Sequence, residues 1–481
     1  MRPIVRASLI ATLSLAFYLR FDPFGRFVGL DAATWDWMAI SLPNGLLPYR
    51  DIFLHKTPLA AVIGAFGAAV AGLLGLDSLS GAHATSLFFG AAGPALLYLL
   101  CRERAGETAA LAAAAFMLGF DQWLVAPIEG VRPKVYTTTL GLACLLCADK
   151  RRWGAAGALG GAATMCWQPG LAFLAGALMP LLKEPRPVTS LARIAGGAAA
   201  IPLTIVAWMW TVGGLADLWA QAVMFNFSYI DIHARPPDVI GERLFALAKQ
   251  WNSAELILLI PAALGTVRHP NRAPESLLAA GLVYLGLTFV SFQAWPDMIL
   301  FAAPLAAVLA VGLSGLMAER ASWQAAVLAL ALILAATPKS ARLEPPIDYE
   351  QQAAFMQQLT GELTDSDRIL VVSLPELNIH TGRRSVWKWP YMWFGVDAFA
   401  ASTTPGGFDA ILGELEADPP ALMVVARRWR GPLRQRFEQW ARTRYDVQRV
   451  HQYPHTVRPI NVYRLKAGSE GAVRTSLSGS G

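Results

Sequence analysis

The sequence predicts a polytopic α-helical membrane protein of about eleven crossings plus one apolar segment that does not cross. A small α/β domain is expected to follow on the outer face. Three observations predict this. Of the 481 residues, 15% are charged and 55% hydrophobic, whereas a soluble domain carries about 25% charged residues. Apolar runs of about 15 to 20 residues recur as far as Ala336 and then stop. Beyond them, short β-branched runs alternate with amphipathic stretches, the pattern of an α/β layer. An ordinary soluble enzyme and a disordered scaffold are both excluded by this composition.

The first run, Ile4 to Phe21, follows Arg2 and Arg6 and has no small-residue cleavage site, so a retained first helix is expected. The next candidates are Pro58–Leu76, Ala82–Leu100, Thr108–Phe120, Val135–Ala148, Trp153–Cys166, Gly170–Leu182, Ile194–Val212, Leu256–Val267, Leu277–Phe292, Met298–Leu316 and Trp323–Ala336. If all of them cross, the basic clusters Arg102/Arg104, Lys150/Arg151/Arg152, Lys183/Arg186/Arg193 and Arg268/Arg272 face outward, against the positive-inside rule. If 58–76 dips into the bilayer without crossing, all four clusters fall inside. Residues 22–57, 121–134, 213–255 and everything after Lys339 then share the outer face. The predicted organisation is a membrane catalytic domain over 1–338 with long outer loops 22–57 and 213–255. A periplasmic α/β domain over 339–468 and a disordered Ser/Gly-rich tail over 469–481 complete it.

The net charge of +6 and a pI near 9.2 come from cations clustered between apolar runs, where they set topology, so no nucleic-acid partner is expected. Cys101, Cys144, Cys147 and Cys166 lie in or beside apolar segments and are expected to pack as thiols. Gly154, Gly157, Gly160 and Gly161 suit close helix packing in lipid. No Gly-Lys-Ser/Thr follows them, so they form no phosphate loop. In the C-terminal part the predicted strands are Asp367–Ser373, Ala421–Arg427, Tyr445–Val450 and Ile460–Lys466, with amphipathic helices over Phe408–Glu416 and Pro432–Arg442.

The first outer loop reads GLDAATWDWMAISLPNGLLPYRDIFLHKTPL from Gly29 to Leu59. An acid just after the first helix, an amphipathic stretch, Gly-x-x-Pro-Tyr-Arg-Asp, and a Lys before the next apolar run resemble the first loop of the GT-C glycosyltransferases. More narrowly, the loop is similar to that of bacterial relatives of dolichyl-phosphate-mannose protein mannosyltransferases and lipid A aminoarabinose transferases. YLLCRERAGETAALAAAAF (Tyr98 to Phe116), EGVRPK (Glu129 to Lys134), WPDMILFAAPLAAVLA (Trp295 to Ala310) and LPELNIHTGRRS (Leu374 to Ser385) extend the resemblance over nearly the whole chain. It implies sugar transfer at the outer face of a bacterial inner membrane, from a polyprenyl-phosphate-linked donor to a lipid, glycan or protein acceptor.

Such transfer needs a base near the acceptor and cations at the departing phosphate. The resemblance makes Asp31 the catalytic carboxylate; the alternative is a helix cap. Relatives often follow this position with a second acid where Ala32 stands, and Asp36 is the candidate substitute. Lys56 matches a base that would hold the donor phosphate, or it snorkels to the interface. His55 either supports it or is a hydrogen-bonded loop residue. Glu129, Arg132 and Lys134 gather at the membrane edge, either as cations against the donor phosphate with Glu129 supplying a carboxylate, or as an interfacial charge cluster. Relatives often carry an acid at the position of Lys134. Gln168, in CWQPG, either supports the donor or closes a tight turn. The aromatic loop with Trp219, Phe225, Phe227, Tyr229, Asp231, His233 and Arg235 stacks on sugar or forms an interfacial belt. Arg383, with Arg384 beside it, matches a Thr-Gly-Arg signature for donor or acceptor, and the run Val386–Phe394 is a surface resting on lipid or on the active-site mouth, or packing. No His-x-x-x-His or Glu-x-x-His pattern supports a dedicated metal site, although the chemistry is compatible with a divalent metal. The rival readings are a lipid-linked glycan ligase or polymerase and a flippase-type transporter. The sequence has no two-half repeat of the kind transporters carry.

Overall fold

The computed structural model describes residues 2–227, 263, 266–267, 270–290, 298–316, 348–392, 395–426, 429–450 and 460–466. The expected span 323–336, most of 256–267, the tail after Gly468, and Tyr229, Asp231, His233 and Arg235 lie outside the described residues. Two compact units make up the chain. A helical unit contains 1–24, 56–216 and 233–344, and an α/β unit contains 25–55, 217–232 and 345–481.

The chain begins with α1 (Pro3–Leu19), α2 (Leu30–Ser41), α3 (Leu59–Leu73), α4 (Ser78–Ala105), α5 (Glu107–Gly119), α6 (Asp121–Ile128), α7 (Pro133–Asp149), α8 (Trp153–Cys166), α9 (Leu171–Ala177) and α10 (Pro187–Thr211). All but α2 belong to the helical unit. Local signals set their ends. Asp77 caps α4 by accepting the Ser80 N–H at 2.7 Å, and Gly106, at φ 85°, ends it. Pro133 occupies the first turn of α7, where its missing N–H costs nothing. Among the described residues α4 and α10 are long and apolar enough to cross a membrane. The pair α5 and α6, bent by 61°, makes a third as a broken span or a re-entrant loop.

Glycine sets the closest packing, as the sequence pattern suggested. A Cβ on Gly157 would lie 2.1 Å from the Ile194 carbonyl oxygen of α10, and one on Gly161 would lie 2.4 Å from that of Ala198. With no apolar driving force between helices in lipid, such close approach supplies the dispersion contact that holds them. The outer faces of this unit are apolar: Phe66 of α3 is 70% exposed and Trp210 of α10 is 73% exposed. Surfaces of this kind belong against lipid.

The basic clusters meet at one end of the helical unit. Lys150 pairs with Glu103, Arg102 with Glu107 at 3.2 Å, and Arg151 with Glu184 at 3.3 Å. Arg104 and Lys183 share Glu275, at 3.1 and 2.8 Å. Loops that are distant in sequence therefore lie together.

In the α/β unit, β1 (Ile369–Val372), β2 (Leu422–Ala426), β3 (Tyr445–Val450) and β4 (Ile460–Leu465) form a sheet of order β1-β2-β4-β3. β1 and β2 are parallel, whereas β4 is antiparallel to both of its neighbours. Every residue of β1 and β2 is buried, because both faces of these strands carry core, which accounts for their unbroken apolar sequence. Leu370, Val372, Met423 and Val425 face Trp387, Trp429 and Phe437. Ile369, Val371, Leu422 and Val424 face Met356 and Leu359 of the Tyr349–Thr360 helix. Trp387 and Trp389, in the aromatic run after Ser385, are buried in this packing, and Lys388 pairs with Asp217 at 3.0 Å.

Candidate active site

The first outer loop is part of the α/β unit, and α2 carries its acids. The N-cap of α2 is Gly29, so Asp31 does not cap the helix. It is the second helical residue and is exposed, where the free N–H groups of the first turn favour a carboxylate. Asp36 is rotated about 140° around the helix from Asp31 and is fully buried. The two acids do not form a side-by-side pair.

The Pro-Tyr-Arg-Asp segment closes on itself. Tyr49 is fully buried with φ at 68°, a left-handed conformation that costs a non-glycine residue about 1 kcal/mol or more. Its N–H donates to the Ile52 carbonyl at 2.7 Å. Asp51 accepts the Leu47 N–H at 2.8 Å and pairs with Arg50 at 3.0 Å. Burial raises the Asp51 pKa, but Arg50 and the Leu47 N–H lower it by more, leaving the carboxyl below the ordinary range. His55 ends this loop, with Nδ1 2.5 Å from the Tyr391 hydroxyl and its ring packed near Phe53 and Phe225.

The helical unit brings the expected cations together. Trp167 sits in the break between α8 and α9, extended at φ −162°, ψ 131°, and is 3% exposed. The Lys56 and Lys134 ammonium nitrogens each lie 5.5 Å from the centroid of its indole ring. One ring therefore holds both cations within twice that distance of each other. Arg132, the N-cap of α7, pairs with Glu129 at 3.3 Å. Gln168 opens the turn Gln168–Gly170 directly after the indole, and Thr57 donates to the Thr164 carbonyl at 2.9 Å. Lys134 and Lys150 flank opposite ends of α7, a length of about 25 Å. The lysine pair is thus remote from the ion-paired basic end.

Arg383 serves its own domain: Nη1 donates to the Asp367 carbonyl at 3.0 Å, and Asp365 is 3.7 Å away. Arg384 donates to the Asn44 carbonyl at 3.0 Å. Among the described residues no three His, Cys, Asp or Glu side chains converge to hold a metal ion. Sequence reasoning missed Trp167, although the Trp-Gln-Pro-Gly helix break signals it, and it missed Tyr391 within a run that is mostly core.

No family model and no curated protein matches the sequence. Solved structures do match. The oligosaccharyltransferase of Archaeoglobus fulgidus, in complex with zinc and sulfate, aligns with 92% of this chain over 72% of its own at 12% identity, with a TM-score of 0.51. The same enzyme tethered with an acceptor peptide containing the NVT sequon aligns with 96% over 74% at 13% identity, again with a TM-score of 0.51. The fold is the GT-C glycosyltransferase fold. ArnT from Cupriavidus metallidurans bound to undecaprenyl phosphate spans 97% of this chain and 98% of its own at 14% identity. Its TM-score of 0.46 is too low to compare architectures in detail. At these identities the GT-C likeness concerns fold, and the chemistry rests on this chain's own residues.

Proposed function

We propose that this protein is a glycosyltransferase of a bacterial inner membrane that moves a monosaccharide from a polyprenyl-phosphate carrier to a lipid, glycan or protein acceptor at the periplasmic face. The observation that carries the reading is the Lys56/Lys134 pair on Trp167, in a chain with the GT-C fold. Paired cations beside an apolar ring suit a phosphate on a hydrocarbon chain. In the reaction the acceptor oxygen bonds to the sugar's anomeric carbon and the carbon–oxygen bond to phosphate breaks. The phosphate leaves with the electron pair, Lys56 and Lys134 balance its charge, and Asp31 takes the acceptor proton. A nucleotide site is unnecessary because the donor already carries its phosphate leaving group. Arg132 supports the donor side, with Glu129 orienting it.

The test is turnover of radiolabelled polyprenyl-phosphate sugars by the protein in nanodiscs, comparing wild type with Asp31→Asn and Lys56→Ala. Consumption of one donor by wild type and its loss in Asp31→Asn support the reading and identify the sugar. Turnover only of lipid-linked oligosaccharides would make the protein a glycan ligase. Movement of labelled lipid across the bilayer without any transfer would replace the enzyme with a flippase.

A further inference from the structure

Two buried glutamines, far from the first outer loop in sequence, bracket its backbone within the α/β unit. At its start, Gln352 Oε1 accepts the Val28 N–H at 2.8 Å and Gln352 Nε2 donates to the Val28 carbonyl at 3.0 Å. The amide thus imitates a strand partner for a single residue that directly precedes the N-cap of α2. Because Oε1 is fixed as an acceptor, the His380 Nε2 at 3.0 Å carries the proton and donates to its second lone pair. Gln352 is fully buried and all its polar atoms are used. At the end of the loop, Gln221 bridges two residues. Its Oε1 accepts the Leu54 N–H at 3.0 Å, and its Nε2 donates to the Tyr49 carbonyl at 2.6 Å. Gln221 is 2% exposed. Asn226 adds a bond to the His55 carbonyl at 2.8 Å.

We propose that Gln352 and Gln221 are positioning residues with separate tasks: Gln352 sets the start of α2 and so the place of Asp31, while Gln221 sets the segment that delivers Lys56, two residues beyond Leu54. The proposal rests on the glycosyltransferase reading of Asp31 and Lys56. Each acts through the backbone in a buried place: Gln352 satisfies both polar groups of Val28, and Gln221 satisfies the Leu54 N–H and the Tyr49 carbonyl. Fixing a reacting group to within a fraction of an ångström is where such a device has its largest effect.

The test pairs Gln352→Met and Gln221→Met in nanodiscs, reading donor turnover together with hydrogen exchange. Methionine keeps shape and burial but removes the bonds. In Gln352→Met the expected result is a fall in kcat of about tenfold to a hundredfold with donor KM unchanged and faster exchange at the Val28 amide. Gln221→Met is expected to raise donor KM by about fivefold or more, with faster exchange at Leu54. The β1 and β2 amides stay protected in both if the variants are folded. Gln352→Glu, which keeps the acceptor for the Val28 N–H, should recover part of the lost kcat. Wild-type kinetics in both variants overturn the proposal. So does an equal fall of kcat and rise of KM in both with exchange throughout the sheet, which would mean a role in stability alone. Asp31→Asn separates the failures. Full activity there removes the role of Asp31, whereas loss there with normal turnover in Gln352→Met removes the glutamine's role only.

Discussion

Acidification should loosen the α/β unit through His380, and the size of the effect can be worked out from its surroundings. The imidazole donates to Gln352 at 3.0 Å and stacks obliquely on Tyr349, ring centroids 4.6 Å apart. Burial pushes its pKa down to about 4, from 6.5 in the unfolded chain. A histidine held neutral in the fold binds its proton more readily when unfolded. Stability is therefore complete above pH 6.5 and is lost as pH falls toward 4. Linkage puts the loss at about 0.8 kcal/mol at pH 6 and about 2 kcal/mol at pH 5. Hydrogen exchange of the β1 and β2 amides, corrected for intrinsic rate, measures this against His380→Gln, which does not titrate and retains a donor toward Gln352. Wild type should lose about 2 kcal/mol more than the variant between pH 7.5 and pH 5. Equal losses in both proteins would refute a His380 held neutral by its surroundings.

On the proposed function, Lys134→Ala and Trp167→Leu should each raise the donor concentration for half-maximal turnover about tenfold, measured in the nanodisc assay, because one removes a proposed phosphate cation and the other the ring beside which the pair lies. Gly157→Val places its Cβ 2.1 Å from the Ile194 carbonyl oxygen, and it should lower helical-unit stability by about 1 to 3 kcal/mol, seen as earlier loss of monodisperse protein on heating in detergent. Cys101, Cys144 and Cys166 are buried free thiols. They should resist maleimide in folded protein and all react after unfolding without any reductant, as mass spectrometry would read.

Much of the fold was legible because it is written in local pattern. The runs Asp367–Ser373 and Ala421–Arg427 contain β1 and β2, since a strand buried on both faces must be apolar without interruption. Gly157 and Gly161 of α8 announced close packing, and α10 is the surface they meet. The candidate cations were legible singly, by their place at the edges of apolar runs. Their convergence was not, because the indole that Lys56 and Lys134 share lies 111 residues after the first and 33 after the second.

The sequence by itself determined that the chain is a membrane protein, where many of its apolar helices and the four strands of its sheet fall, and which residue types stand ready for phosphate and hydroxyl chemistry. Hydropathy, periodicity and charge placement act over a few residues, so a linear reading reaches them. Only the tertiary structure decided that Asp31 stands exposed while Asp36 is buried, and that Arg383 serves its own domain. It alone joined the first loop to the α/β unit through Gln352, 324 residues from Val28, and Gln221, 167 residues from Leu54. A buried amide takes its partners from whatever backbone the fold presents to it, and nothing in the local sequence of either glutamine specifies that partner.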